Sequence, residues 1–268
     1  MNTSRHHADW LSLVEVSGPF ISLPVLLRVF PQGLEARDPA QAKALRAAYD
    51  EWQANPAAPG LRRAWILQVL TNLLGYPADL LAEGQTLPAG LEANIAQMGE
   101  TLRPDFALTG PKNSETEGQA HLLIAAYPSS QKLDRPLADR HWKANPATRM
   151  TELLHATGVS IGLVTNGEHW MLVYAPRGET SGYASWYGAL WLDEPITLRA
   201  FHSLLGVRRF FGVDAANTLL GLLKESASDQ QEVTDQLGYQ VREAVQVLVQ
   251  AFDMLDQDAN RTLLKGLK

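Results

Sequence analysis

No cysteine occurs among the 268 residues of this chain. This absence excludes a disulfide scaffold, a zinc site with cysteine ligands and a thiol nucleophile, and it fits a reducing compartment. Long apolar runs are missing as well, because the stretch 20–30 is too short to span a bilayer and is interrupted by Pro24 and Arg28. The first ten residues are polar and do not resemble a signal peptide. The sequence therefore predicts a cytoplasmic protein with no membrane partner.

Several motifs that carry chemistry are also missing. The chain has neither a P-loop nor an HExxH zinc motif, and its seven histidines form no pair at i, i+4 spacing. Adenine methyltransferases grip a flipped base with an Asn-Pro-Pro-aromatic loop. Here Asn55-Pro56 is followed by two alanines, and Asn145-Pro146 is followed by Ala-Thr. We therefore expect no metal site and no bound cofactor, and this segment is not itself the methyltransferase.

Charge is unevenly distributed along the chain, whose formal net charge is -6. The segment 224–258 has eight acidic and two basic residues, so it accounts for the whole imbalance. The segment 128–149 instead has five basic residues against two acidic ones. Its basic residues are Lys132, Arg135, Arg140, Lys143 and Arg149. Such a loop can contact DNA phosphates, together with Arg62 and Arg63, and the alternative is a solvated loop of mixed charge.

Hydrophobic periodicity predicts a helical beginning, a central sheet and a helical end. Helices are predicted at 9–16, 61–74 and 146–157, from Pro195 or Thr197 to Leu205, at 214–223, and as a long amphipathic helix from about Ser228. Strands are predicted at 104–108, 121–127, 159–165, 169–174 and 183–192. Asn166-Gly167, between two of these strands, is a strong hairpin signal. The expected fold class is α/β (α+β), with a mixed sheet flanked by helices.

The order of these elements and motifs resembles a known family. The helix 61–74 is followed by Arg-Pro-Asp at 103–105, a polar turn, an apolar strand, a helix and a strand that ends in Leu-Val-Thr-Asn-Gly-Glu-His-Trp at 163–170. This arrangement resembles the PD-(D/E)xK nuclease core found at the front of type I restriction subunits and of Eco57I-like restriction–modification methylases. The tail, with Gln-Glu-Val-Thr-Asp-Gln-Leu-Gly at 231–238, is similar to the helical connector of those proteins. Methylases of this type occur in phage-defence systems that include BREX-like and DISARM-like ones.

The resemblance implies a site that has lost its chemistry. PD-(D/E)xK enzymes need one acid on a first strand and an acid-x-Lys on the next, because two carboxylates hold Mg²⁺ and the lysine orients water. Asp105 matches the first acid, but Ala125 and Tyr127 stand where the second acid and the lysine belong. A relocated site would have to recruit Lys132 together with Glu115 or Glu117.

Three hypotheses follow for a chain divided into a helical segment (1–60), a degenerate nuclease-like core (61–212) and a helical connector toward a further domain (213–268). The first is a non-catalytic accessory domain that positions DNA for a SAM-dependent DNA adenine methyltransferase. The second is an interaction module for that methyltransferase domain or for another defence-system subunit. Its docking surface would use Trp186, Tyr187 and Trp191, for which core packing is the alternative. The third is an active Mg²⁺-dependent nuclease with relocated residues.

Overall fold

The computed structural model describes residues 3–36 and 38–258. They belong to two compact units, Met1–Ser226 and Ala227–Lys268. The first unit contains the sheet and every candidate site residue. Among the described residues, no helix is both long and apolar enough to cross a membrane.

Nine strands are present in the described part of the chain. They are β1 (Glu15–Ser17), β2 (Leu81–Glu83), β3 (Ala93–Ile95), β4 (Glu100–Leu102), β5 (Phe106–Thr109), β6 (Ala120–Ala126), β7 (Ile161–Thr165), β8 (His169–Tyr174) and β9 (Gly182–Tyr187). Seven form one mixed sheet in the order β1-β9-β8-β7-β6-β5-β2, and β3 pairs with β4 in a separate hairpin. β6 and β7 are parallel, whereas the other neighbours in the large sheet are antiparallel. A parallel pair needs a crossover connection, which here contains a helix.

Eight helices are present in the described part of the chain. They are α1 (Thr3–Leu11), α2 (Leu23–Val29), α3 (Pro39–Ala54), α4 (Pro59–Leu67), α5 (Pro146–Thr157), α6 (Gly188–Asp193), α7 (Pro195–Leu205) and α8 (Leu219–Asp258). A π-helical turn, Gln68–Leu73, continues α4. α5 is the crossover helix, with Asn145 as its N-cap and Gly158 at its end.

Strand alternation explains why each face has its own core. In β8, Met171 and Val173 pack with Met150 and Leu153 of α5. Trp170, one residue before Met171, contacts Trp191 and Phe201 instead. Successive strand residues point to opposite faces, so β8 supplies both cores. The sheet is therefore covered on both sides, as a mixed α/β architecture requires.

Several predictions from the sequence are confirmed. The fold class is confirmed as mixed α/β, with a mixed sheet flanked by helices. The bounds of α5, α7 and β8 agree with the predicted ranges, and the strands predicted at 121–127 and 159–165 begin and end within two residues of β6 and β7.

Two predicted elements are wrong. The strand predicted at 183–192 ends at Tyr187, because the backbone N–H groups of Gly188 and Ala189 donate to the carbonyl and carboxylate of Glu168 and turn the chain into α6. The helix predicted at 9–16 ends at Leu11, and Glu15–Ser17 is an edge strand. Pairing with β9 satisfies the backbone of this short strand.

Candidate functional site

Asp105 lies at the beginning of β5, beside the end of β6. Its backbone N–H donates to the carbonyl of Ile124 (2.8 Å), and its Oδ2 accepts from the N–H of Ala126 (2.7 Å). Phe106 pairs with Ile124, so the antiparallel register places Asp105 opposite Ala125. Loss of hydration among protein atoms raises the pKa of the Asp105 carboxyl. The hydrogen bond from Ala126 and the positive charge of Arg62 lower this pKa, but by less. The residue is still accessible to solvent.

Ala125 on β6 and Tyr127 just after it supply neither a carboxylate nor an amine beside Asp105. Ala125 is buried in an apolar cluster with Leu133 and Met150. Tyr127 is half-buried, and burial raises the pKa of its phenol, so it stays protonated at neutral pH. In the part of the chain that the structure describes, no group of three or more His, Asp or Glu side chains can hold a metal ion. Asp105 therefore supplies one of the two carboxylates that the nuclease-like pattern uses to hold Mg²⁺.

The acids proposed for a relocated site lie at the far end of β6. Glu115 and Glu117 are in the turn before Ala120, whereas Asp105 is beside Ala126. The seven residues of β6 separate them by about 20 Å at 3.3 Å per residue. Glu117 accepts a hydrogen bond from the N–H of Asn113 within its own turn. The relocation through Glu115 or Glu117 is therefore not supported by the geometry.

A cavity of about 500 Å³ opens beside Asp105 and Tyr127. Its inner wall contains a buried ion pair between Arg149 and Glu100, whose side chains are 8% and 14% exposed. Arg149 also donates to the carbonyl of Trp142 (3.2 Å), and its guanidinium lies 5.1 Å from the Trp142 ring centroid. Arg149, predicted as a DNA contact, is thus almost buried and its charge is paired with Glu100, which does not favour that role.

Replacing Glu100 with glutamine is expected to destabilise the fold by about 1–3 kcal/mol, because the buried Arg149 charge loses its partner. The Arg149 hydrogen bond lowers the pKa of Glu100 below its ordinary value of 4.5. The ion pair therefore makes its full contribution to stability above the ordinary pKa of 4.5. This contribution is lost as the pH falls through the lowered pKa of Glu100 in the folded protein. Urea unfolding of parent and variant should differ most near neutral pH and converge in acid; a gap that does not shrink would contradict the assignment.

The basic loop between β6 and α5 is anchored by two buried leucines, Leu133 and Leu137. Asn166 of the hairpin also holds it, donating from Nδ2 to the carbonyl of Gln131 (2.9 Å). Its remaining basic residues are exposed: Lys132, Arg135, Arg140 and Lys143. Of these, Arg140 lines the cavity beside Asp105, and Arg135 makes an exposed contact with Asp134 (3.5 Å).

Arg62 and Arg63 line a smaller cavity of about 260 Å³ that also reaches Asp105. Arg63 is paired with Glu83 and lies 5.9 Å from the ring centroid of Phe106. Arg62 is near enough to Asp105 for its charge to lower the carboxyl pKa. The structure thus brings both arginines close to Asp105, and Arg63 is already in an ion pair.

Sequence reasoning missed the residues that complete the larger cavity. Glu100, Arg103 and Gln131 line it beside the predicted residues. Arg103 directly precedes the Pro-Asp of the recognised motif and pairs with Glu92 (2.6 Å). Glu100 lies on β4, in a segment whose short strands give little periodicity, so no local signal marks it.

Other candidates are explained by packing. Trp186 and Trp191 are buried and contact Phe201, so they do not form the docking surface that was one hypothesis. Tyr187 is half-buried and stacks on His169 at 4.6 Å. The alternative of core packing is confirmed for both tryptophans.

Gly158 to Gly162 reads G-x-S-x-G, the pattern of a hydrolase nucleophile elbow. An elbow places its serine between a strand and a following helix. Here Ser160 follows α5 and precedes β7, which is the reverse order. His121 lines the same cavity, but its buried Nε2 makes no hydrogen bond to Ser160. The order of elements around Ser160 is therefore not that of a nucleophile elbow.

Comparison with known proteins adds no relative to this description. The chain matches no protein-family model, no curated protein and no solved structure. The residues and geometry described above are the basis on which a function is proposed.

Proposed function

We propose that this chain is a nuclease-like accessory domain without a catalytic centre, which holds DNA by its phosphate backbone for a DNA adenine methyltransferase of a restriction–modification or phage-defence system. The observation that carries the proposal is the placement of Asp105 opposite Ala125, beside Tyr127. In the proposed likeness, these positions correspond to the two carboxylates and the lysine of a PD-(D/E)xK site, and two of the three groups are replaced.

The topology supports the same proposal. The elements of this region follow the order helix–strand–strand–strand–helix–strand, which is α4, β2, β5, β6, α5 and β7. The β3–β4 hairpin is inserted after β2. β2, β5 and β6 form an antiparallel meander, and β7 returns parallel to β6 after the α5 crossover. This order of elements agrees with the order expected from the resemblance, and it supports the proposal.

Cations around the remnant acid support contact with phosphate. Arg103 and Arg140 line the larger cavity, Arg62 lines the smaller one, and Lys132, Arg135 and Lys143 extend from the adjoining loop. Arg103 pairs with Glu92 and Arg135 contacts Asp134, whereas Arg62, Lys132, Arg140 and Lys143 form no salt bridge with another described residue. Contacts with phosphate position a duplex without reading its sequence, so we expect weak, salt-sensitive binding.

Changing Arg135, Arg140 and Lys143 together to alanine is expected to weaken duplex DNA binding by about tenfold or more at low salt. Each lost phosphate contact should also reduce the slope of log affinity against log salt concentration by about 0.9. Fluorescence anisotropy with a labelled duplex of arbitrary sequence measures both quantities.

The matched control removes the same number of exposed positive charges elsewhere. Lys43, Arg46 and Lys112 are exposed and lie outside both cavities at Asp105. Their triple alanine variant should keep the slope of the parent. Equal losses in the two triple variants would show only a general charge effect, and absence of binding by the parent at low salt would overturn the proposed role.

A second candidate function is that of an interaction domain. It is favoured by the large apolar side chains that Ala227–Lys268 exposes, among them Leu237 and Phe252. The measurement is retention of a co-expressed methyltransferase domain by this chain after the nucleic acid has been digested. Retention would favour this role over DNA positioning, and its loss on digestion would favour DNA as the link.

A further inference from the structure

Asn166 does more than form the turn between β7 and β8. The residue is 6% exposed, and its Oδ1 accepts hydrogen bonds from the backbone N–H groups of Glu168 (3.0 Å) and His169 (2.8 Å). These two hydrogen bonds shape the hairpin itself. Its Nδ2 donates instead to the carbonyl of Gln131 (2.9 Å), in the loop between β6 and α5. One buried side chain therefore ties the hairpin to the basic loop.

The side chain of Gln131 continues this connection into the loop. Its Nε2 donates to the carbonyl of Lys132 (2.7 Å) and to the carbonyl of Arg135 (2.9 Å). The backbone N–H of Arg135 also donates to the carbonyl of Lys132 (3.2 Å), so the residues 132–135 form one closed turn. We call these four residues the cationic turn. A primary amide has two N–H donors, so a single glutamine can hold both carbonyls.

The cationic turn combines a buried anchor with two exposed cations. Leu133 is fully buried in the apolar cluster on α5, whereas Lys132 and Arg135 are exposed. Leu133 fixes where the turn lies on the protein. The orientation of the peptide groups on either side of it depends on their carbonyls, which the Gln131 amide holds. Gln131 therefore sets the directions in which the two basic side chains leave the backbone.

A turn held in this way suits a phosphate ligand. Lysine and arginine side chains lose conformational freedom when they contact a phosphate, and a loop that had to become ordered in the same step would add to that cost. The hydrogen bonds of Gln131 and Asn166 order the backbone of the cationic turn in advance. Gln131 itself lines the cavity beside Asp105, together with Arg140, so the turn adjoins the proposed DNA site.

We infer that Gln131 and Asn166 are positioning residues of the proposed DNA site, which hold the cationic turn in the form that contacts the phosphodiester backbone. The inference rests on the proposed DNA-positioning role and adds to it the element of the loop that meets the phosphates. It also gives the Asn166-Gly167 motif a role beyond the hairpin turn.

Gln131→Met tests the inference, because methionine has a similar length and no N–H donor and leaves the net charge unchanged. We expect the affinity for a labelled DNA duplex at low salt to fall by about fivefold, since the cationic turn must then be ordered on binding. Gln119→Met is the matched control. It removes an amide hydrogen bond to the carbonyl of Glu115 (3.5 Å) in the exposed turn at the other end of β6, and it should bind like the parent.

A second background separates positioning from a general effect on the fold. When Lys132→Ala and Arg135→Ala are already present, adding Gln131→Met should cost less than about twofold in affinity, because the cations that Gln131 orients are gone. A loss of the same size in both backgrounds would show that Gln131 acts on the fold as a whole.

Trypsin cleavage under native conditions tests the ordering of the turn without DNA. Cleavage after Lys132 should be several times faster in Gln131→Met and in Asn166→Asp than in the parent. Aspartate at 166 keeps an oxygen for the N–H groups of Glu168 and His169 but loses the Nδ2 donor. Cleavage after Arg140, in the same loop but outside the cationic turn, is the internal reference.

The outcomes distinguish this inference from the function on which it rests. A parent chain that does not bind DNA at low salt would overturn both. DNA binding by the parent that Gln131→Met leaves at the level of Gln119→Met, or weakens equally in the two backgrounds, would overturn only the inference. Cleavage after Lys132 at the parental rate in both variants would likewise show that the turn does not depend on Gln131 and Asn166.

Discussion

Gly167→Ala is expected to lower the free energy of unfolding of the Met1–Ser226 unit by about 2–4 kcal/mol. Gly167 has φ of +95°, a conformation that a residue with a side chain adopts at a cost. A Cβ atom at this position would lie 2.7 Å from Cζ2 of Trp52 and 3.1 Å from Cη2. Backbone strain and steric overlap therefore act together at the hairpin between β7 and β8.

The surrounding aromatic residues leave little room for Trp52 to move. Trp52 is buried and stacks on Trp65, with ring centroids 6.1 Å apart. Trp65 and Trp170 both donate their indole N–H to the carbonyl of Gly167, at 2.7 Å and 3.0 Å. A shift of the hairpin would weaken both hydrogen bonds, so the overlap is not relieved locally.

Gly178→Ala is the matched control for this prediction. Gly178 also has a positive φ (+77°), but a Cβ atom there meets nothing within 4 Å. It should cost only the backbone strain, about 1 kcal/mol. Urea unfolding followed by tryptophan fluorescence gives both values, since all seven tryptophans lie in Met1–Ser226. Equal losses for the two variants would contradict the clash with Trp52.

The double variant Ala125→Glu, Tyr127→Lys is expected to bind Mn²⁺ at least about tenfold more tightly than the parent chain, because carboxylate number sets the affinity of such sites. Asp105 already lies opposite position 125 at the mouth of the cavity. A glutamate there supplies the second carboxylate, and a lysine at 127 restores the third group of the acid-x-Lys pattern. Isothermal titration with Mn²⁺ measures the change.

Asp105→Asn added to the double variant is the control. Binding should return to the parent level if the metal ion is shared between positions 105 and 125. Because Ala125 is buried in an apolar cluster, tryptophan fluorescence must first show that the variants are folded. Folded protein without a gain in Mn²⁺ affinity, or a gain that survives the loss of Asp105, would argue against the proposed likeness to a nuclease site.

Much of the local structure was determined by the sequence alone. The Asn145 cap and Gly158 end of α5, the Pro195 start of α7 and the Asn166-Gly167 turn are local signals, and the elements begin and end where these signals indicate. The continuous apolar run of β6 predicted a buried strand. The sequence also predicted that an acid and a lysine are missing at positions 125 and 127, because this prediction depends on residue types and not on distances.

Only the tertiary structure decided which charges are free. Glu100 and Arg149 are 49 positions apart, and neither residue type nor spacing indicates that they form a buried pair. Likewise, no local pattern indicated that Glu168 would turn the chain into α6 after Tyr187, or that Glu15–Ser17 would pair with β9. Sequence periodicity records interactions between near neighbours, whereas these contacts join residues that meet only after the sheet has formed.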